Sequence, residues 1–265
     1  MGKRVNQPST SDPVSPKSVR IAASSALLRD LETPLRDGEH LTLYGPRGSG
    51  KSTVLRALGA RFHRSGIPYA LSVSTTSLED ITSALERAYP HVATGTVARR
   101  TARARLWRAA DAQRGVLLLD ELRIASNAMV TLLRRLHGGV AGVLAAVDIE
   151  DDRDRGELKA WRYGSMRVRM PLTPPSRLRR LLRARCRELG IPLPDPTVER
   201  TLLRAARGRP GWIVQCVELG GEPRYWREGR LLVSVLRTDT EAAVRHRALG
   251  MLRPLQGPSA AKSDR

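Results

Sequence analysis

The chain is poor in four things, and each shortage narrows what it can be. Aromatic residues make up 4% of its 265 residues, so the core must rest on Leu, Val, Ala and Ile. There are two cysteines, Cys186 and Cys216. Neither has a CxxC partner or a Cys/His neighbourhood with zinc spacing, so a disulfide framework and a structural zinc site are excluded. Both read as small buried hydrophobes in a reducing compartment. No apolar run approaches the ~20 residues of a membrane span, and the N-terminus has no apolar core of a signal peptide. The expectation is a cytoplasmic protein with no membrane partner. Acidic residues are also scarce: 26 Asp+Glu stand against 46 Lys+Arg, a formal charge of +20. So large a clustered excess points to a polyanionic partner, most simply nucleic acid.

What remains is enough apolar content, 41%, for a sizeable core. Residues 1–18 and 254–265 are polar and rich in Pro and Ser, and read as disordered tails. Between them, helical and strand-like patterns alternate. Arg20–Leu35 has helical spacing; "HLTLY" (His40–Tyr44) alternates like a strand; Lys51–Ser65 is helical; "YALSVS" (Tyr69–Ser74) is a second strand. Ser77 and Asp80 have capping-box spacing and open a helix to about Tyr89. A basic helix follows over Val97–Arg114. "GVLLLD" (Gly115–Asp120) is continuously apolar, as a strand buried on both faces would be. Then come a helix over Ser126–His137 and strands at Gly142–Asp148 and Ser165–Met170. This alternation predicts a parallel sheet covered on both faces.

After Met170 the pattern turns helical. Thr173 is set to cap a helix beginning at Pro174 and stopped by Gly190. Its apolar stripe is Leu178, Leu181, Leu182 and Leu189. Further helices run from Pro196 to Gly208 and from Pro210 to Leu219. Tyr225–Leu236 reads as a hairpin turning at Glu228–Gly229, and Thr238 with Glu241 reads as a capping box opening a last helix to about Leu249. The boundaries predicted are 19–171 for a nucleotide-binding core, 172–221 for a helical lid and 222–253 for an appended hairpin and helix.

The chemistry concentrates in "GPRGSGKST", Gly45-Pro46-Arg47-Gly48-Ser49-Gly50-Lys51-Ser52-Thr53. This fits G-x-x-x-x-G-K-[ST] between a predicted strand and a predicted helix. The glycines let backbone N–H groups turn onto a β-phosphate, and the helix start adds its positive dipole end. Lys51 would set a point charge between β- and γ-phosphates, and Ser52 would offer its hydroxyl to Mg²⁺. Asp120 ends an apolar strand, where it would hold Mg²⁺ through water; Glu121 follows directly and would polarise the attacking water. ATP and Mg²⁺ are therefore the expected cofactors.

The order GPRGSGKST, LLLDE, a fourth apolar strand and a helical appendage resembles AAA+ ATPases over roughly residues 19–220. The resemblance implies a P-loop NTPase core, a five-stranded parallel sheet sandwiched by helices, followed by a small helical lid. It implies that the fourth strand lies between the two motif-bearing strands and ends in a sensor-1 residue, here Asp148. It places a sensor-2 arginine at the start of the third lid helix, Arg207 or, preferably, Arg209, with Gly211 as the other occupant of that position. It asks for an arginine finger given to a neighbouring subunit, from Arg153, Arg155, Arg162 or Arg167. Within the family the layout is similar to the transposition and origin-type group: MuB, TniB and TnsC, IstB-like loaders and replication initiators. Self-association into a ring or filament, and a transposase or helicase as partner, are what that likeness implies. A nucleotide-switch signalling ATPase is the competing class.

Two basic stretches are candidates for DNA. Val97–Arg114 carries Arg99, Arg100, Arg103, Arg105, Arg108 and Arg114 against one acid, Asp111. Arg99, Arg100, Arg103 and Trp107 are the chosen contact residues; Trp107 is open to two roles, stacking on a base or packing into the core, with the second favoured. The other stretch is the lid, Pro174–Pro210. Neither resembles a base-reading code, so sequence-independent phosphate binding is expected.

Overall fold

The computed structural model of the protein describes residues 24–75, 77–92, 99–122, 142–148, 165–228 and 230–246. The tails, the helix expected over Ser126–His137, Arg153, Arg155, Arg162 and Gly229 lie outside these residues.

The elements in chain order are α1 (Ser25–Arg36), β1 (His40–Gly45), α2 (Lys51–Arg64), β2 (Tyr69–Ser72), α3 (Leu78–Ala88), α4 (Arg99–Ala112), β3 (Val116–Leu119), β4 (Gly142–Asp148) and β5 (Met166–Arg169). Helices α5 (Pro175–Glu188), α6 (Pro196–Ala206) and α7 (Pro210–Gly220) follow, then a 3₁₀ turn (Pro223–Tyr225), β6 (Trp226–Arg227), β7 (Arg230–Leu231) and α8 (Val233–His246). Among the described residues no helix is long and apolar enough to cross a membrane.

The first five strands form one parallel sheet in the order β2-β3-β4-β1-β5. β4 therefore lies between β1 and β3, as expected. The period-2 geometry of the strands divides their apolar residues between two cores. Leu117, Leu119, Val143, Ala145 and Val147 face Ile81 and Leu85 of α3 and Leu106 and Ala110 of α4. Their chain neighbours Val116, Leu118, Leu144 and Ala146 face the other way, onto Leu31 and Leu35 of α1 and Leu55, Leu58 and Phe62 of α2. Burial on both faces is why "GVLLLD" is apolar without interruption.

A third core joins α5, α6, α7, Tyr225 and α8 through Leu178, Leu182, Leu202, Ile213, Leu236 and Val244 around the fully buried Trp212. The Ser77–Asp80 capping box is present. Four local expectations change. Thr173 does not cap α5: it is buried, and its N–H donates to the Gly208 carbonyl at 3.0 Å. Pro174 is extended (φ −63°, ψ 150°) because Pro175 follows it, and a residue before proline is steered out of the helical region. The expected hairpin is a pair of two-residue strands, and Val233–Leu236 already belongs to α8. Thr238 is therefore inside the helix, its hydroxyl donating to the Ser234 carbonyl at 3.1 Å, and Glu241 turns to Arg209 instead of its own backbone. On α5 the apolar stripe is completed by buried Cys186, while Leu189 is 49% exposed past the helix end.

Candidate functional site

The carboxyl ends of β1, β3 and β4 meet at one place, and the phosphate loop crosses it. Gly50, at φ 101°, is the N-cap of α2, a backbone angle that a side chain would strain. That turn aims the first N–H groups of α2 into a cleft of about 320 Å³. Ser49 inside the loop is fully buried, and its hydroxyl has no partner. Lys51 is buried, and its ammonium donates to the carbonyls of Gly45 at 2.7 Å and Pro46 at 3.0 Å.

Asp120 follows β3 and is buried. Its Oδ1 accepts from the Glu121 N–H at 3.0 Å, and its carboxylate accepts from the Ser52 hydroxyl. Burial pushes its pKa up; the Ser52 and Glu121 hydrogen bonds, Arg56 and Lys51 pull the other way. A desolvated carboxylate bonded to a loop serine is the donor set an oxygen-seeking cation such as Mg²⁺ takes. When bound, that cation would offset the burial of Asp120 and neutralise phosphate charge. Glu121 sits at φ 47°, a left-handed angle costing about 1–3 kcal/mol for a residue with a Cβ. Glu121, like Asp120, lines the cleft.

Asp148 ends β4, and the sheet register sets it opposite Gly45. Its Oδ1 lies 2.7 Å from the Lys51 ammonium and its Oδ2 accepts from Arg47 Nε at 3.1 Å. Arg47 thus faces an acid of its own chain.

The lid closes the cleft from the far side with Leu181 and Arg185 of α5 and Pro210, Gly211, Val214 and Gln215 of α7. Arg209 is not in this wall. Its guanidinium pairs with Glu241 at 2.8 Å and donates to the Ala206 carbonyl, and Glu241 also accepts from Trp212 Nε1 at 3.1 Å. The cation the lid brings to the cleft is Arg185, whose Nη1 pairs with Glu188 and whose Nε is buried without a partner. Arg56 of α2 also lines the cleft. Both left a trace in the sequence. Arg56 is one turn after Ser52 on the same helix face, and Arg185 interrupts the apolar stripe one turn after Leu181.

Of the DNA candidates, Arg103 donates to Thr82 at 3.0 Å and Trp107 packs against the α3–α4 core with its Nε1 buried. Both are drawn toward α3. Arg99 and Arg100 open α4, and their side chains lie outside the described residues. Arg167 is exposed on β5, the edge strand.

Residues 35–149 match the model of the AAA domain family. The chain is similar in fold to the Aeropyrum pernix ORC1 protein solved in complex with DNA, with a TM-score of 0.54 and 18% identity over 89% of this chain and 72% of that one. It is also similar to domain III of the Thermotoga maritima replication initiation protein DnaA, with a TM-score of 0.51 and 12% identity over 86% and 99%. The fold is that of an AAA+ P-loop NTPase. No curated protein matches the chain by sequence. In the AAA+ core, β1 carries the phosphate loop, β3 the Asp120–Glu121 pair and β4 the Asp148 position, and the lid supplies the roof.

Proposed function

We propose that the protein binds ATP with Mg²⁺, hydrolyses it, self-associates, and engages DNA without strong sequence preference. The observation that carries the reading is the convergence of Lys51, Ser52, Asp120 and Glu121 on one cleft roofed by the lid. Glu121 is the group set to polarise water; Ser52 and Asp120 would hold the cation; Lys51 and the loop N–H groups would take the phosphates. Arg185 is the lid cation that would meet a bound nucleotide.

DNA engagement is supported by charge and its display. On the lid, Arg179, Arg180, Arg183, Arg187, Arg200, Arg204 and Arg207 are exposed. Buried Glu199 pairs with Arg179 at 2.6 Å and Arg183 at 2.9 Å, holding two guanidinium groups in place on that face. Such a face neutralises phosphates without reading bases.

Two cellular roles fit. One is a target-selecting helper ATPase of a mobile element, with a transposase as partner. The other is a replication initiator or helicase loader, and the fold likeness to the ORC1 protein solved in complex with DNA and to a domain of a replication initiation protein favours it. The test is the rate of ATP hydrolysis with and without duplex DNA across a salt series, with sedimentation in each nucleotide state. Stimulation that fades as salt rises supports the reading. No hydrolysis, or no effect of DNA at low salt, overturns its respective half.

A further inference from the structure

Lys51, the lysine of the phosphate loop, already has three acceptors. Two are the backbone carbonyls of Gly45 and Pro46; the third, and the one that is charged, is Asp148 at 2.7 Å. A polyphosphate that draws on Lys51 must compete with that carboxylate. The same carboxylate would then stand beside the polyanion as a second negative group, which is strongly unfavourable in a half-buried cleft. An acid at the end of β4 thus opposes a nucleotide in this cleft. The chain holds its own answer one turn of the loop away: Arg47 donates from Nε to the other oxygen of Asp148 at 3.1 Å. Arg47 and Asp148 are similarly shielded, with side chains 25% and 24% exposed, so neither is screened as a surface charge would be.

We infer that Arg47 is a positioning residue of the nucleotide site: it neutralises Asp148, so that Lys51 can be shared with a triphosphate while the carboxylate stays paired. This rests on the ATP-binding reading above. Arg47 acts through Asp148 and not by touching phosphate. Asp148 holds both cations, and with nucleotide bound it would retain Arg47. The group of three carries one net positive charge. Removing Arg47 cancels that charge; removing the charge of Asp148 doubles it; removing both restores it.

The charge count ranks four proteins. The experiment is titration of a non-hydrolysable ATP analogue, ADP and AMP into the unaltered protein, R47A, D148N and R47A/D148N, with R47K as the charge-conserving control. Circular dichroism and thermal unfolding without nucleotide verify folding. R47A should weaken the ATP analogue by roughly tenfold, ADP by less and AMP least, because the repulsion scales with ligand charge. D148N should bind the analogue at least as tightly as the unaltered protein. The double variant should recover most of what R47A loses, and R47K should resemble the unaltered protein. If the double variant is no better than R47A, Arg47 touches phosphate directly and the inference fails. It fails equally if R47A binds as well as the unaltered protein. Absence of any nucleotide binding by the unaltered protein overturns the ATPase reading and this inference together; binding by the unaltered protein with a double variant as weak as R47A overturns this inference alone.

Discussion

The backbone N–H of Gly211 donates to the Gly48 carbonyl across 2.8 Å, which fastens the start of α7 to the phosphate loop. The contact is possible only because neither residue has a side chain: a Cβ on Gly211 would lie 2.9 Å from the Gly48 Cα. The lid is thus bonded to the residue that shapes the loop, and movement of one must be felt by the other. Gly211→Ala forces the two backbones apart. Its affinity for an ATP analogue should fall by about tenfold, with little change in the thermal unfolding midpoint. Fluorescence titration measures the first and a melting curve the second. Unchanged affinity would show that lid and loop are not coupled through this bond.

Arg209 and Arg185 should separate cleanly. Arg209 is 8% exposed and shares Glu241 with Trp212, so Arg209→Ala removes the bidentate guanidinium from Glu241. The loss should be about 2 kcal/mol of stability, discounted because the Glu241 side chain is one-third exposed. The ratio of ATP to ADP affinity should not move. Arg185→Ala should do the reverse: a small change in stability and a fall in ATP affinity, since Arg185 faces the cleft. Melting curves and paired nucleotide titrations distinguish the two.

The sheet was legible because its signal is local. A strand buried on both faces must be apolar at every position, and the G-x-x-x-x-G-K-S pattern with its DE partner occupies short contiguous stretches. Ion pairs are not local. Nothing in the sequence around Arg209 indicates Glu241, 32 positions later in a helix whose start was misplaced. Asp148 pairs with Arg47 across 101 positions, and only the parallel register of β1 and β4 makes them neighbours. Arg185 could have been noticed as a charge on an apolar stripe, but its direction toward the cleft depends on how the third core packs. The spacing of Thr238 to Glu241 suits a cap, but the tertiary pull of Arg209 on Glu241 wins.

Lys51 and Glu121 should fail in different ways. Lys51→Ala removes the ammonium that would meet the phosphates, so nucleotide binding and turnover should both be lost. Glu121→Gln keeps the shape and loses the base, so binding should persist while phosphate release slows by roughly 10²–10⁴-fold. Full turnover in either variant would show that hydrolysis occurs elsewhere.

Asp120 should trade stability against activity. Its carboxylate is 5% exposed and burial pushes its pKa up, so the ionised form is held at a cost in the nucleotide-free protein. Asp120→Asn removes the charge and keeps an acceptor for Ser52. The variant should melt a few degrees higher than the unaltered protein without nucleotide, and Mg²⁺-dependent hydrolysis should disappear. A lower melting point would mean that the hydrogen bonds of the carboxylate outweigh its desolvation.

The lid face should show itself in the salt dependence of DNA binding. Arg180, Arg187 and Arg204 are exposed and have no part in the Glu199 cluster, so they can be replaced without exposing a buried acid. Each arginine that meets a phosphate releases a counterion and steepens the plot of log affinity against log salt by about 0.9. The triple variant R180A/R187A/R204A should therefore bind duplex DNA more weakly at low salt and give a slope shallower by up to about 2.7. The loss should be uniform across DNA sequences, because phosphate contacts carry no sequence information. Replacing Arg105 and Arg108, exposed arginines among the described side chains of α4, is the comparison. If that pair flattens the slope and the lid triple does not, the DNA path runs over α4. An effect confined to the lid triple places it on α5 and α6, the layer whose α5 also carries Arg185 to the nucleotide cleft.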